Sequence, residues 1–134
     1  MKTNFKKFLG VTLATATLGL SLTSIASARE VGNYNTTVGS FNGSGYTGGL
    51  KKETSNRDGI VNSSSVGGGY KVDARLQKTD GKQSGSWARS IGNGDRVTLG
   101  NSIGSGLSTR VQFSNNITTP VNVQVSGSWS PDNK

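Results

Sequence analysis

The 134-residue chain contains no cysteine and no histidine. The absence of cysteine excludes disulfides, thiolate nucleophiles and cysteine-ligated metal sites. The absence of histidine removes the commonest general base and the commonest metal ligand of proteins. The residue types that remain do not support most familiar catalytic mechanisms, so we expect a protein that is not an enzyme and that needs no cofactor.

Acidic side chains are also scarce, with 7 Asp and Glu against 15 Lys and Arg. A glycosidase needs two carboxylates that face each other across a cleft. Asp58, Asp80 and Asp95 instead each lie beside a glycine in a turn-like sequence, where Asp normally hydrogen-bonds to the backbone. Serine is plentiful, but no S-x-x-K motif is present to activate it. The sequence therefore predicts neither a catalytic residue nor a metal site.

The first 28 residues have the pattern of a secretory signal peptide. Three lysines lie within the first seven residues, an apolar run follows over 8–22, and Ala26 and Ala28 provide the small side chains of a cleavage site. The apolar run is too short and too rich in Thr for a membrane span of about 20 residues. We therefore expect cleavage after Ala28 and a secreted, extracellular protein that does not span the membrane.

The net charge expected after signal-peptide cleavage is lower than the formal +8 of the whole chain. Three of the 15 basic residues lie within 1–28, whereas all 7 acidic residues follow, so residues 29–134 carry 12 basic and 7 acidic side chains, a charge of +5. A positive charge favours anionic partners through a long-range attraction that salt weakens.

Three runs of the remaining sequence alternate between apolar and polar residues with the period of two that half-buried strands show. These runs are 70–77, 107–114 and 121–129. The predicted inward side chains are Tyr70, Val72, Ala74 and Leu76 in the first run, Leu107, Val111 and Phe113 in the second, and Val121, Val123, Val125 and Trp129 in the third.

Shorter strands are predicted between these runs, at 35–41, 46–52, 60–66, 86–91 and 96–99. Turn sequences rich in Gly, Asn and Asp separate them, and Thr79–Lys82 is typical of a hairpin turn. We expect one antiparallel all-β domain over 29–134 with about seven or eight short strands, a β-sandwich or alternatively a barrel. Because segment 32–49 contains six glycines, we expect it to be loosely ordered.

Basic residues recur on the polar faces of the predicted strands. Lys71 and Arg75 share one strand, Arg110 lies on another, and Arg89 and Arg96 lie on two shorter ones. If the strands of Arg75 and Arg110 share a sheet, a basic patch covers its outer face. This patch is either a solvated surface or a site for an anionic cell-envelope polymer, a lipid-linked wall precursor or an anionic lipid. Nucleic acid is not expected, because exposed aromatic side chains for base stacking are not evident and the chain is exported.

Regular alternation cannot place both Trp87 and Arg89 favourably within the predicted strand 86–91. If Trp87 and Ile91 point into the core, regular alternation places Arg89 on the same buried side, where a charge needs a partner or an edge position. This pair completes the set of candidate binding residues, which are Trp87, Arg89, Lys71, Arg75, Arg110 and Arg96.

A series of short motifs lies between residues 63 and 91. Ser63-Ser64 and Tyr70 precede an alternating strand, the polar turn 79–82 follows it, and Gly85-Ser86-Trp87-Ala88-Arg89 comes next. This stretch resembles the second half of secreted lactococcin-type bacteriocins, the signal-peptide-cleaved class without lanthionine. The resemblance implies a β-sandwich and a bacteriocin-like antimicrobial that acts on wall synthesis in competing cells.

Other features leave the function open. The ending 125–129 is similar to that of small secreted proteins of bacilli, and the short lysine-rich start is similar to Gram-positive secretion signals. One alternative function is an extracellular structural or matrix protein that self-associates through exposed strand edges. Another is a binding module or inhibitor for a secreted partner.

Mass spectrometry of the protein released by its producing cells is expected to show a chain that begins at Arg29. Replacing both Ala26 and Ala28 with Phe should leave the uncleaved chain with the cells, because the peptidase accepts only small residues at these positions. Released protein that still begins at Met1 would contradict the predicted signal peptide.

Overall fold

The computed structural model describes residues 29–134, which form two antiparallel β-sheets packed face to face. The predicted signal peptide 1–28, with Ala26 and Ala28, lies outside the described residues. The strands are β1 (Gly32–Val38), β2 (Ser44–Tyr46), β3 (Leu50–Lys51), β4 (Gly59–Val66), β5 (Val72–Lys78), β6 (Ala88–Ile91), β7 (Arg96–Leu99), β8 (Ser108–Asn115) and β9 (Val123–Ser130).

The strands divide into a four-stranded and a five-stranded sheet. The four-stranded sheet has the order β1-β9-β4-β7, and the five-stranded sheet has the order β2-β8-β5-β6 with β3 also paired to β8. The predicted antiparallel β-sandwich is confirmed. The hairpin predicted at Thr79–Lys82 joins β5 to β6, which pair antiparallel.

The described residues contain nine strands rather than seven or eight, because the predicted run 46–52 is split. Thr47 lies at the break, where its N–H donates to the Val111 carbonyl over 3.1 Å and its Oγ1 accepts the Val111 N–H over 2.9 Å. A hydroxyl therefore replaces a main-chain carbonyl in the ladder, and β2 and β3 become separate strands. The glycine-rich segment 32–49 contains β1 and β2.

The core lies between the two sheets and follows the predicted alternation over most of its length. The rings of Tyr34 and Phe113, from opposite sheets, pack with their centroids 4.9 Å apart. The predicted inward residues that are buried are Val72, Ala74, Leu76, Val111, Phe113, Val123, Val125 and Trp129. Tyr70 is half-buried and packs against this cluster.

Two of the predicted core residues are exposed. Leu107 is 38% exposed and Val121 is 44% exposed, because β8 begins only at Ser108 and β9 only at Val123. Each side chain therefore belongs to a loop that precedes the ladder. Thr109 occupies an inward position of β8 instead and is buried, with its Oγ1 donating to the Leu50 carbonyl over 2.8 Å.

Four connections that cross between the sheets lie at one end of the sandwich, which we call the crossover end. The registers place Val38 opposite Val123, Val66 opposite Val125, and Val72 opposite both Asn115 and Ile91. These strand termini all meet at the same end. The connections that leave them are 39–43, 67–71, 92–95 and 116–122.

A buried ion pair closes the opposite end of the sandwich. The Lys52 ammonium donates to the Arg57 carbonyl at 2.6 Å, the Pro131 carbonyl at 2.9 Å and the Asp132 carboxylate at 2.9 Å. All three ammonium hydrogens therefore have acceptors. Neither side chain of the pair is exposed to solvent.

The Asp132 carboxylate likewise has hydrogen-bond donors on both of its oxygens. Besides Lys52, it accepts the N–H of Glu53 on Oδ2 at 2.8 Å and the N–H of Thr54 on Oδ1 at 3.0 Å. A buried charge of either sign is tolerated only when it is paired and hydrogen-bonded in this manner. The pair therefore fastens the chain after β9 to the chain after β3.

The Lys52→Met variant is expected to lose about 3–5 kcal/mol of unfolding free energy, because it leaves the Asp132 carboxylate buried without its counterion. The double variant with Asp132→Asn, which removes that charge but keeps an acceptor oxygen, should recover much of the loss. Urea unfolding measures both. The solvent-accessible pair Lys78–Asp80 supplies the control, since Lys78 is only half-buried and Lys78→Met should cost less than about 1 kcal/mol. Unchanged stability in the Lys52 variant would contradict the structural role of the pair.

Alkaline pH is expected to destabilise the fold through Tyr34. This side chain is buried, and burial raises the pKa of its hydroxyl to about 12. The unfolded phenol ionises near pH 10, so the unfolding free energy should fall by about 1.4 kcal/mol per pH unit from about pH 10 to 12. Unfolding measured at pH 9 and pH 12 in parent and Tyr34→Phe isolates this contribution, because the other titrating groups are common to both. An identical pH dependence in the two proteins would contradict it.

Candidate functional site

The outer face of the five-stranded sheet brings the basic residues of β5 and β8 together. These strands are neighbours, and their register pairs Arg75 with Gln112 and Gln77 with Arg110. Since alternate residues of a strand point to the same side, these four side chains share the surface opposite the core. The condition for a basic patch, that the two strands belong to one sheet, is therefore met.

Arg75 lies over the ring of Trp87. Its Cζ is 4.4 Å from the ring centroid, and its Nε donates to the Gln112 Oε1 over 2.8 Å. The Cζ of Arg89 lies 5.8 Å from the same ring. A guanidinium at this distance from an indole is attracted by the electron density of the ring face. Trp87 therefore holds cations against the outer surface of the sheet.

Arg110 and Tyr46 form a second stack of the same kind. The Arg110 Cζ lies 4.0 Å from the Tyr46 ring centroid, and its Nε donates to the Gln77 Oε1 over 2.9 Å. Gln77 in turn donates its Nε2 to the Gln112 Oε1 over 3.3 Å. The two glutamines therefore connect the two arginine–aromatic stacks. We call this set of six residues the arginine face: Tyr46, Arg75, Gln77, Trp87, Arg110 and Gln112.

The two stacked guanidinium groups keep most of their hydrogen-bonding capacity. Arg75 and Arg110 each use Nε on a glutamine, and within residues 29–134 no acceptor receives a hydrogen bond from their Nη atoms. A guanidinium carries five N–H donors, four of them on Nη atoms. Each arginine thus presents a planar fork that suits the two oxygens of a phosphate or carboxylate.

A β-bulge between β5 and β6 resolves the conflict of Trp87 and Arg89. Val72 pairs with Ile91 and Ala74 pairs with Ala88, so β6 uses one residue more than β5 over the same distance. The extra residue lets Ile91 be buried and Ala88 pack against the core while Arg89 remains exposed.

Asp73 on β5 fixes the bulge. Its Oδ1 accepts the Ser90 N–H over 3.0 Å, and its Oδ2 accepts an Arg89 Nη1 hydrogen over 2.7 Å. Ser90 has a φ of 60°, a left-handed conformation that its main-chain hydrogen bond helps to hold. Arg89 is thereby directed along the surface at the edge of the arginine face, with its charge paired to Asp73.

Two of the six predicted binding residues lie away from this face. Arg96 belongs to β7 of the other sheet, where its Nη1 donates to the Asn62 Oδ1 over 2.7 Å. The expectation that Arg96 lies near the patch is wrong, because the turn 92–95 carries the chain from one sheet to the other. Lys71 precedes β5 and lies exposed at the crossover end. The other predicted residues are Trp87, Arg89, Arg75 and Arg110, and the structure brings them together.

Three residues of the arginine face were not singled out by the sequence. Tyr46 begins a run whose alternation is weak, so its side could not be assigned. Gln77 and Gln112 lie on polar faces, but their role depends on the register that sets each beside an arginine of the neighbouring strand. Gln77 is only 5% exposed, because these neighbours cover it.

Two acidic residues of the predicted turns, Asp80 and Asp95, accept hydrogen bonds from main-chain N–H groups. The Asp80 Oδ1 accepts the Lys82 N–H over 2.8 Å, and this bond holds the pKa of the carboxyl below its usual range. The Asp95 Oδ2 accepts the Gly92 N–H over 2.8 Å. Across residues 29–134, no three acidic side chains form a group that could hold a metal ion, and the surface contains no pocket.

No protein-family model, curated protein or solved structure matches this chain. No helix in the described part of the chain is long and apolar enough to cross a membrane.

Proposed function

We propose that this chain is an extracellular binding protein, bacteriocin-like in its action, that binds an anionic component of the cell envelope on the arginine face. The observation that carries the proposal is the pair of stacked guanidinium groups whose Nη atoms donate to no acceptor within residues 29–134. A planar cation fixed in this way recognises phosphate oxygens in pairs, and charge-assisted hydrogen bonds of this type are the stronger ones.

The stacks support binding because the arginines are already held in place. Arg75 is fixed by the ring of Trp87 and by Gln112, and Arg110 is fixed by the ring of Tyr46 and by Gln77. A free arginine loses side-chain entropy when it binds a ligand, at a cost of about 0.5–1.5 kcal/mol. Prior ordering of both side chains reduces that cost.

The placement of the two arginines suits a ligand that carries more than one phosphate. Arg75 and Arg110 occupy diagonal positions on adjacent strands, about 7–8 Å apart at the backbone. Two such cations can engage successive phosphates of a teichoic-type polymer or both phosphates of a lipid-linked wall precursor. The charge of +5 on residues 29–134 attracts either ligand over a longer range.

Binding to isolated cell walls tests the proposal. Arg75→Gln and Arg110→Gln are each expected to weaken binding to walls that carry phosphate polymers by about tenfold, since each removes a charge-assisted contact. Arg75→Lys should lie between parent and Arg75→Gln, because it keeps the charge but not the planar fork.

Arg96→Gln is the matched control, since it removes the same charge from the other sheet. If it weakens binding as much as Arg110→Gln, net charge alone drives adsorption and the proposed site is wrong. Walls stripped of phosphate polymer should bind less protein. Purified protein should also inhibit the growth of related strains, and inhibition of none would overturn the antimicrobial part of the proposal.

A further inference from the structure

The crossover end carries a second surface of different chemistry. Phe41 is 61% exposed, Ile117 is 69% exposed and Val121 is 44% exposed. They lie on the two connections 39–43 and 116–122, which we call the apolar loops. None of these side chains fills the core, so their apolar surface is accessible to a partner.

The apolar loops are fastened to each other. The Phe41 N–H donates to the Thr119 carbonyl over 2.8 Å, and the Asn42 N–H donates to the Asn116 carbonyl over 3.3 Å. The Asn115 Nδ2 lies beneath them and donates to the Gly39 carbonyl over 2.8 Å. Since main-chain bonds link both loops, the exposed side chains project from one ordered platform.

Phe41 is held in a backbone conformation that disfavours it. Its φ is 51°, in the left-handed region, where a bulky side chain is rare and Asn or Gly is preferred. An exposed phenylalanine in this conformation gains little from packing within the domain. The turn closed by the Gly43 N–H and the Ser40 carbonyl over 3.1 Å imposes this conformation, but nothing in the packing of the domain requires a Phe at the position.

The charges around the apolar loops suit a negatively charged apolar phase. Neither loop contains an acidic or basic residue, so burying its tip does not desolvate a charge. Lys71 is exposed at the same end of the sandwich, and its ammonium lies near Gly92, as does the half-buried Asp95 carboxylate, which offsets part of its charge. The end therefore combines an uncharged apolar tip with an exposed cation that lies close to one carboxylate.

We propose that the apolar loops insert into the surface of an anionic lipid bilayer, with Phe41 and Ile117 among the acyl chains and Lys71 at the headgroups. Shallow insertion of apolar side chains combined with cation–headgroup attraction is a known mode of peripheral membrane binding. A stable protein interface needs about 800 Å² of complementary surface on each partner, whereas loop tips need no matching surface in a fluid bilayer. This membrane contact is independent of ligand binding on the arginine face.

Sedimentation with lipid vesicles tests the proposal, using protein isolated from the medium of its producing cells. The parent is expected to bind vesicles that contain phosphatidylglycerol, and to bind pure phosphatidylcholine vesicles more weakly. Phe41→Asn should lower the partition coefficient about tenfold, because it removes an inserted ring. The same substitution should not lower the melting temperature, because Asn accepts the left-handed conformation better than Phe.

Val31→Ser is the matched control. Val31 is 57% exposed but precedes β1 at the opposite end of the sandwich, so its replacement should leave vesicle binding unchanged. Lys71→Gln should reduce the preference for phosphatidylglycerol by about fivefold and leave binding to pure phosphatidylcholine unchanged. Arg110→Gln should weaken wall binding but not vesicle binding.

Each contrary result overturns the proposal in a recognisable way. Vesicle binding lost in Arg110→Gln and retained in Phe41→Asn would place lipid on the arginine face. Equal losses in Phe41→Asn and Val31→Ser would show unspecific hydrophobic adsorption. A dimer seen by light scattering in the parent and absent in Phe41→Asn would assign the apolar loops to a second copy of the chain.

Discussion

The ion pair of Lys52 and Asp132 is the contact on which the rest of the domain depends. It joins the chain after β9, an inner strand of one sheet, to the chain after β3, which belongs to the other. At this end of the sandwich it links segments of the two sheets through a buried polar contact. Both side chains of the pair are fully buried, so removal of either one would leave an uncompensated charge inside the domain. The pair therefore holds both segments in one position.

β8 positions both candidate surfaces. Its outward residues Arg110 and Gln112 belong to the arginine face, while its last residue, Asn115, supports the apolar loops. Under the two proposals, this one strand sets the distance between the arginine face and the apolar loops. A bilayer-anchored domain could then engage ligands that extend from the same envelope.

Alternation predicted much of the core but not its limits. Val72, Ala74 and Leu76 lie inward as expected because they fall within a paired strand. Leu107 and Val121 continue the same alternation and are nevertheless exposed, since nothing local marks where a ladder begins. The bulge at Arg89 was recognisable only as a conflict, because the carboxylate that holds it comes from Asp73 on another strand.

The sequence alone determined the chemical repertoire and the fold class. Alternation with period two predicts half-buried strands, and the excess of Lys and Arg over Asp and Glu predicts cationic outer faces. The tertiary structure decided which cations meet. Arg75 and Arg110 are 35 positions apart and become neighbours, whereas Arg89 and Arg96 are close in sequence and lie on different sheets. Sheet membership and register depend on contacts between distant segments, and no local pattern encodes them.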